Sequence, residues 1–309
     1  MVAIKLHLQG SMMNDKKLIL AIQKSGRLSE SSLDLIKQLG IKLNRSKDQL
    51  IGYGQNFPIE ILLTRDDDIP TLLNEGTCDI GIVGRNVTEE FIQSQKAKDK
   101  QVNFKTATVL PFGACKLSFA VPNDSSLGKA EDYANKKIAT SYPYIVSKYL
   151  SDNNITAECI EFKGSVEIGP KLGICDLICD LVSTGTTLRA NGLRETLTLL
   201  ESTAELVQYN QLNETKTKLV TTFIERVNAV IKASNSRYIM LHAPLDKIDT
   251  IVSLLPGSES PTVIPLSNAQ DKVAIHSLCN VEIFWDTLEN LKAEGASSIL
   301  VLPIEKILD

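Results

Sequence analysis

In the middle of the chain an apolar run, "LICDLV", carries Asp180 near its end and gives way to Ser183, Thr184, Gly185, Thr186 and Thr187 before a helix-compatible segment resumes at Leu188. Hydroxyl side chains and a glycine placed after a strand present O–H and backbone N–H groups in one concave turn, an arrangement suited to a phosphate monoester. The turn lacks the lysine of a nucleoside-triphosphate loop, so hydrolysis of that type is not indicated. Taken alone, the loop is explained equally well if Thr184 or Thr186 only caps the following helix. Two carboxylates accompany it: Asp180 at the strand end and Glu167 upstream, near the start of the preceding helical segment. Such groups are costly beside a phosphate unless they accept hydrogen bonds from neutral hydroxyls or face a cation. A ribose 5-phosphate with its diol and Mg²⁺ supplies both, which points to chemistry on a phosphoribosyl group.

The elements that must hold these groups alternate along the chain. "KLILAI" reads as a buried strand, followed by Leu33, Ile36 and Leu39 at helical spacing, with Ser29 as N-cap and Gly40 as stop. "IEILLT", "CDIGIVG" and "KLSFAV" continue the strand series, with a helix in "DIPTLLNEG". "KKIAT", a helix over 143–153, "AECIEF", a helix over 165–173 and "LICDLV" form a second set. Apolar runs of this kind, interleaved with helices, predict parallel sheets in two α/β lobes, with ligands beyond the carboxyl ends of the strands. Lys24, Ser25, Gly26 and Arg27 fall at one such strand-to-loop position, Gly84, Arg85 and Asn86 at another, and Ser141 and Tyr142 at a third. Asp66, Asp67 and Asp68 precede Ile69 and Pro70, where capping of a helix is preferred over a metal site. Residues 14–115 with 191–212 are assigned to the first lobe and 116–190 to the second. Residues 217–309 are assigned to a linker helix and a β-α-β-β-α-β, ferredoxin-like unit. Residues 1–13, with Gly10-Ser11 and Met12-Met13, read as an added leader.

Composition narrows the class. A chain of 309 residues accommodates two or three compact units. A net charge of −4 with 23% charged residues gives no basic field, which argues against nucleic acid as a partner. No apolar run reaches the roughly 18–20 residues of a membrane span, and no signal-peptide core opens the chain, so no membrane association and a cytoplasmic location are expected. The six cysteines include no CxxC pair and the three histidines no HExxH, so reduced, packed thiols and no certain metal site are expected.

Residues 167–188, "EIGPKLGICDLICDLVSTGTTL", resemble the signature of the ATP phosphoribosyltransferase family. Glu167, Gly173, Asp180, Leu181, Thr184, Gly185, Thr187 and Leu188 fall on its pattern. Cys175 departs from it, standing where the family usually has Ala, Ser or Gly, a change expected to affect packing only. Further similar segments run the length of the chain, among them "IQKSGRLSESS", "RDDDIPTLL", "CDIGIVGRNV", "IATSYP", "GSVE", "YIMLHAP" and "GASSILVLPIEK". The C-terminal unit resembles the histidine-sensing domain of the family's long form.

The resemblance implies a two-lobed, periplasmic-binding-protein-like (type II) catalytic region followed by a ferredoxin-like regulatory domain. It implies that N1 of ATP attacks the anomeric carbon of 5-phosphoribosyl 1-pyrophosphate and expels pyrophosphate, through an oxocarbenium-like transition state and without an obvious general base. Glu167, Asp180, Arg27 and Lys24 are the implied catalytic residues. Asp180, Val182, Ser183, Thr184, Gly185, Thr186 and Thr187 are the implied contacts of phosphoribosyl pyrophosphate. ATP is assigned to Lys24, Ser25, Gly26, Arg27, Gly84, Asn86, Ser141 and Tyr142, although Tyr142 as a packed core residue is an open alternative. Mg²⁺ is expected to arrive on the substrate phosphates. Feedback inhibition by L-histidine is assigned to Leu241, His242, Thr262, Ala296, Ser297 and Ser298, in a homo-oligomer between dimer and hexamer. A non-catalytic solute-binding module and a phosphoribosyltransferase for another base are the competing readings.

Overall fold

The computed structural model describes residues 16–46, 49–257, 260–267, 269–279 and 285–308. The leader assigned to residues 1–13 lies outside them. The first unit contains, in chain order, β1 (Leu18–Gln23), α1 (Ser29–Gln38), β2 (Leu43–Asn44), β3 (Ile51–Gly54), β4 (Ile59–Thr64), α2 (Ile69–Asn74), β5 (Ile80–Gly84) and α3 (Arg85–Lys96). It continues with β6 (Phe104–Val109), β7 (Cys115–Pro122), β8 (Lys137–Thr140), α4 (Pro143–Asp152), β9 (Glu158–Glu161), β10 (Leu177–Val182) and α5 (Thr186–Ala190). β11 (Leu193–Ser202) and β12 (Ala204–Tyr209) follow, and α6 (Glu214–Ser234) spans the point after Thr222 where the chain divides into two units. The second unit holds β13 (Arg237–Pro244), α7 (Ile248–Ser253), β14 (Thr262–Leu266), β15 (Ala269–Cys279), α8 (Trp285–Ala293) and β16 (Ser297–Pro303).

Two sheets build the first unit. The seven-stranded sheet of lobe I has the order β2-β3-β4-β1-β5-β12-β6, and the five-stranded sheet of lobe II has the order β11-β7-β10-β8-β9. Within each, three strands run parallel: β1 between β4 and β5, and β8 between β9 and β10. Next to each trio lies an antiparallel strand from the other half of the chain, β12 beside β5 and β7 beside β10. The sheets are therefore mixed where the sequence predicts parallel ones, because the crossover strands enter against the trio. β11 pairs with β7 from Leu193↔Pro122 to Ser202↔Cys115, so lobe II extends to Ser202 and the return to lobe I begins only at β12. The trio strands are apolar on both sides, as sheets covered by helices require: Leu20, Ala21, Ile22, Ile80 and Ile82 are fully buried in lobe I.

Two connections join the lobes, and they bond to each other. Leu110 N–H donates to the Ala204 carbonyl at 2.9 Å and Ala204 N–H to that of Phe112 at 3.0 Å. The Thr203 hydroxyl lies 2.9 and 2.8 Å from the carbonyls of Leu110 and Phe112.

Three local expectations change. Ser29 is the first helical residue of α1 and not its N-cap, because its hydroxyl donates to the Lys24 carbonyl at 3.0 Å. The helix expected over 165–173 is one 3-10 turn, Val166–Ile168, followed by irregular turns. Pro170 cannot donate to Val166 and its ring opposes a continued helix. The acidic triplet forms a 3-10 turn, Asp66–Asp68, with no side-chain cap bond, since Asp68 before α2 is itself in helical conformation.

The second unit matches its expected order. Its sheet runs β14-β15-β13-β16, all antiparallel, over a core that includes Ile239, Leu241, Ile275 and Leu291. Part of the predicted last helix, residues 281–284, lies outside the described residues.

The start of α6 is fastened to lobe I by one buried pair. Asp79, 4% exposed, accepts from Lys216 Nζ at 3.0 and 2.9 Å and from Ile19 N–H at 2.8 Å. Lys216→Met leaves that carboxylate uncompensated and is expected to cost about 3–5 kcal/mol. Lys218→Met, which breaks the exposed pair with Glu214, should cost less than about 1 kcal/mol. Calorimetric unfolding of the two variants measures the difference, and equal melting temperatures would remove the anchor.

Candidate active site

The strand trios bring their carboxyl ends together. After β1 the chain turns through residues 24–28. The turn is held by Leu28 N–H donating to Gln23 Oε1 at 2.9 Å and by Ser29 N–H donating to the Gly26 carbonyl at 3.2 Å. Gly26 has φ +115°, and a Cβ there would lie 2.7 Å from Gln23 Nε2, so both conformation and space call for glycine. Lys24, Ser25 and Arg27 are exposed on this turn. A cavity of about 190 Å³ lies between the lobes, lined by Gln23, Arg27, Leu28, Asp66, Gly84, Asn86, Val87 and Leu181. That is smaller than the roughly 300–1,000 Å³ of a site enclosing a whole drug-sized ligand.

Asn86 is buried, and its side chain is used internally. Its Oδ1 accepts from the Ser202 hydroxyl at 2.8 Å, its N–H donates to that oxygen at 3.0 Å, and its Nδ2 donates to Tyr142 Oη at 2.9 Å. Gly84 leaves room for this fold-back, since a Cβ would stand 2.5 Å from Asn86 Oδ1. Burial pushes the Tyr142 phenol well above its ordinary range. The Asn86 hydrogen bond opposes this, and the charges of Asp180, Asp67 and Asp66 add to it. Tyr142 thus links the cavity to the core and lies within the field of all three carboxylates. Ser141 donates its hydroxyl to the Phe162 carbonyl at 2.8 Å.

In lobe II the loop after β10 leaves its donors free. Among the described residues, no turn or cap bond engages the N–H groups of residues 183–187. Gly185, with φ +70°, turns the chain into α5, and no side chain caps that helix. The capping explanation of Thr184 and Thr186 therefore fails: their hydroxyls lie 3.0 Å from each other. Arg189, which the sequence reading did not single out, reaches back over the loop. Its Nη2 donates to the Thr184 carbonyl at 3.1 Å and to Thr186 Oγ1 at 3.3 Å. Val182 is buried and anchors the loop, while Ser183, Thr184, Thr186 and Thr187 are exposed. Asp180 precedes them. Burial pushes its carboxyl up to about 6, against a backbone N–H donated by Leu181, and the Glu167 charge adds to the rise. Glu167 and Asp180 thus meet electrostatically although they sit on different elements. Gln23, Leu28, Asp66, Val87 and Leu181 were missed as lining residues; only Gln23 and Leu28, flanking the basic turn, carried a usable signal. Cys175 packs against Gly169, where a Cβ would lie 2.6 Å from its Sγ.

In the second unit, His242 pairs with Ser297, which brings Leu241, His242, Ala296, Ser297 and Ser298 to one end of β13 and β16. Thr262 does not join them within one chain. It pairs with His276 on β15 and lies on the opposite edge of the sheet.

Two lobes that exchange strands, with the loops at their strand ends facing one cleft, define a periplasmic-binding-protein-like α/β fold. Residues 65–229 match the family model described as ATP phosphoribosyltransferase, and residues 233–306 match that of the HisG C-terminal domain. The chain belongs to the ATP phosphoribosyltransferase family, in its long form. A similar solved structure is an ATP phosphoribosyl transferase (HisG:HisZ) complex from Thermotoga maritima, 28% identical, with a TM-score of 0.57 over 68% of this chain and 96% of that one. The alkanesulfonate-binding protein SsuA from Xanthomonas axonopodis pv. citri, bound to MOPS, is 16% identical, with a TM-score of 0.46 over 69% of this chain and 72% of that one. The protein transfers the phosphoribosyl group of phosphoribosyl pyrophosphate to ATP, the first step of histidine biosynthesis.

Asp180 gives a pH signature. A carboxyl whose folded pKa, about 6, exceeds its ordinary 3.8 holds its proton more tightly in the fold. Its favourable contribution is present below the lower value and is withdrawn as pH rises through the higher one, up to about 3 kcal/mol. Asp180→Asn removes that loss. Its melting temperature should exceed that of the parent by a few degrees at pH 8 and match it near pH 3.5; a gain of equal size at both would mean the carboxyl is not desolvated.

Proposed function

We propose that Asp180 and Glu167 accept the ribose hydroxyls of phosphoribosyl pyrophosphate and steady the positive charge that develops on the sugar. The residue 183–187 loop holds the 5-phosphate. The observation that carries this reading is the set of free N–H groups in that loop, just after a half-buried carboxylate at the strand end. Arg27 and Lys24, exposed on the facing turn, are assigned to the pyrophosphate and the ATP phosphates. Ring nitrogen N1 of adenine attacks the anomeric carbon as the bond to pyrophosphate breaks; the electron pair leaves with pyrophosphate, and no proton need be removed from the nucleophile. Catalysis then rests on alignment and on charge stabilisation. Asn86 and Ser141, whose side chains are engaged internally, act on ATP by shaping the pocket, with Gly84 and Tyr142 beside them.

Among the described residues, no three His, Cys, Asp or Glu side chains converge as a metal cage. Asp180 and Glu167, the carboxylates assigned to the ribose, fit the usual mode of Mg²⁺, which binds one or two carboxylates together with substrate phosphates. Mg²⁺ carried in this way neutralises charge on the leaving group. Among the described residues no helix is long and apolar enough to cross a membrane; the proposed location is the cytoplasm.

Feedback inhibition by L-histidine at the C-terminal unit of a homo-oligomer, up to a hexamer, completes the reading. Support comes from the strand ends that gather Leu241, His242 and Ala296 to Ser298. Thr262, on the far edge, contributes only from a neighbouring copy. Histidine then acts by favouring one of two assemblies.

Two measurements test these assignments. Asp180→Asn and Glu167→Gln should each lower turnover about 10²–10³-fold, with a smaller effect on ATP binding. The assay follows ultraviolet absorbance of the N1-substituted adenine with ATP, phosphoribosyl pyrophosphate and Mg²⁺; unaltered turnover in both would remove them from the site. For regulation, Ser298 has φ +51°, so Asn is the tolerated replacement there. Ser297→Gln combined with Ser298→Asn should keep turnover and weaken inhibition at least about tenfold, or about 1.4 kcal/mol. Full inhibition with normal turnover would place the histidine site elsewhere.

A further inference from the structure

Lobe I grips lobe II through a carboxylate that touches no substrate loop. Glu90, in the middle of α3, accepts Tyr144 N–H on one oxygen and Ile145 N–H on the other, both at 2.9 Å. These are first-turn donors of α4, so a residue of one lobe caps a helix of the other. Two more contacts cross beside it. Lys98 Nζ lies 5.4 Å from the centroid of the Tyr144 ring, and Asn86 donates to Tyr142 while accepting from Ser202 at the crossover. Burial raises the Glu90 carboxyl to about 6, the Tyr144 and Ile145 N–H groups oppose the rise, and Glu161 and Glu89 add to it. Both of its oxygens are occupied by backbone N–H donors, which favours the ionised form.

We propose that Glu90 is a positioning residue for phosphoribosyl transfer: by holding the first turn of α4 it sets the distance between the two substrate-binding loops. The elements on each side of the contact lead to those loops. α3 begins directly after β5, beside β1 and its basic turn, whereas α4 begins directly after β8, which is paired with β10 up to Cys179↔Thr140, next to Asp180. This inference rests on the assignment of the phosphoribosyl group to lobe II and of Arg27 and Lys24 to the phosphates. Each substrate end then depends mainly on one lobe, and the transition state alone requires both in register. Loss of the grip should lower kcat more than it raises either KM, because misalignment of about 1 Å costs about 10²-fold in rate.

Glu90→Gln keeps the shape and removes the charge and one acceptor. The expected result is a fall in kcat of about tenfold or more, with both KM values within about threefold, together with faster hydrogen exchange at the Tyr144 and Ile145 amides. Lys216→Met, outside the cleft, is the comparison: it lowers the melting temperature without this split. Unchanged kcat with faster exchange would show that the grip does not position the reaction. Lower kcat with unchanged exchange would show that Glu90 acts by another route; either result overturns the proposal. If Glu90→Gln does not fold, Glu90→Asp, one methylene shorter and still charged, is read by the same two measurements. Should Asp180→Asn leave turnover intact, the assignment of the ribose fails, whereas the exchange at Tyr144 and Ile145 still reports the grip.

Discussion

Each lobe borrows a strand from the other half of the chain, and the rest of the catalytic region follows from that exchange. β7 leaves lobe I to lie beside β10, and β12 leaves lobe II to lie beside β5. Both connections pass through one short region, where backbone bonds and the Thr203 hydroxyl hold them side by side. The lobes are thereby related as repeats: β1 corresponds to β8, β4 to β9 and β5 to β10. Loops at the carboxyl ends of equivalent strands face one cleft, which is where such sheets bind ligands. Gly84 and the residue 183–187 loop are equivalent positions, one leading to a buried amide used for structure and the other to free donors.

Carboxylates crowd one another in the cleft. Asp180, Asp66 and Asp67 all act on the Tyr142 phenol, and Asp180 feels Glu167 as well. Such a group of carboxylates is unfavourable until something hydroxylated or cationic arrives, so under the proposed assignment binding energy is available where positive charge develops on the sugar. The compensating cations stand apart. Arg27 and Lys24 lie exposed on the opposite turn, and Arg189 is tied over the hydroxyl loop. Under the proposed assignment, the pyrophosphate and ATP phosphates are thus directed to one surface of the site and the ribose 5-phosphate to the other.

The residues proposed to touch the ligand were more legible than those that hold them. Asp180, Glu167 and the hydroxyl-rich loop announce themselves by type and by position after an apolar strand, and the order of the C-terminal unit follows from its alternating runs. Sheet direction did not, because "KLSFAV" and "AELVQY" read as ordinary buried strands and nothing local marks a strand as belonging to the other lobe. The helix expected after Ser165 was lost to Pro170, whose effect is local and was readable. Asn86 illustrates the remaining gap: at a strand-to-loop position it reads as a ligand contact, whereas its amide is committed to Ser202 and Tyr142, partners far away in sequence. Glu90 gave no signal at all, since a carboxylate on an amphipathic helix is ordinarily a solvated one.

The exchange of strands also orders the way the chain can be completed at the ribosome. Lobe I emerges first, yet β5 and β6 meet only through β12, the last strand of the region. The lobe II sheet lacks nothing once Ser202 has appeared. The half made earlier is therefore the half finished later. In the interval β5 offers an unpaired edge of Ile80, Ile82 and Val83, the kind of surface that recruits chaperones or foreign strands. A chain that has emerged only as far as residue 203 would carry one finished sheet and one open one, so the short segment from Ala204 to Tyr209 closes the exposed edge as well as the fold.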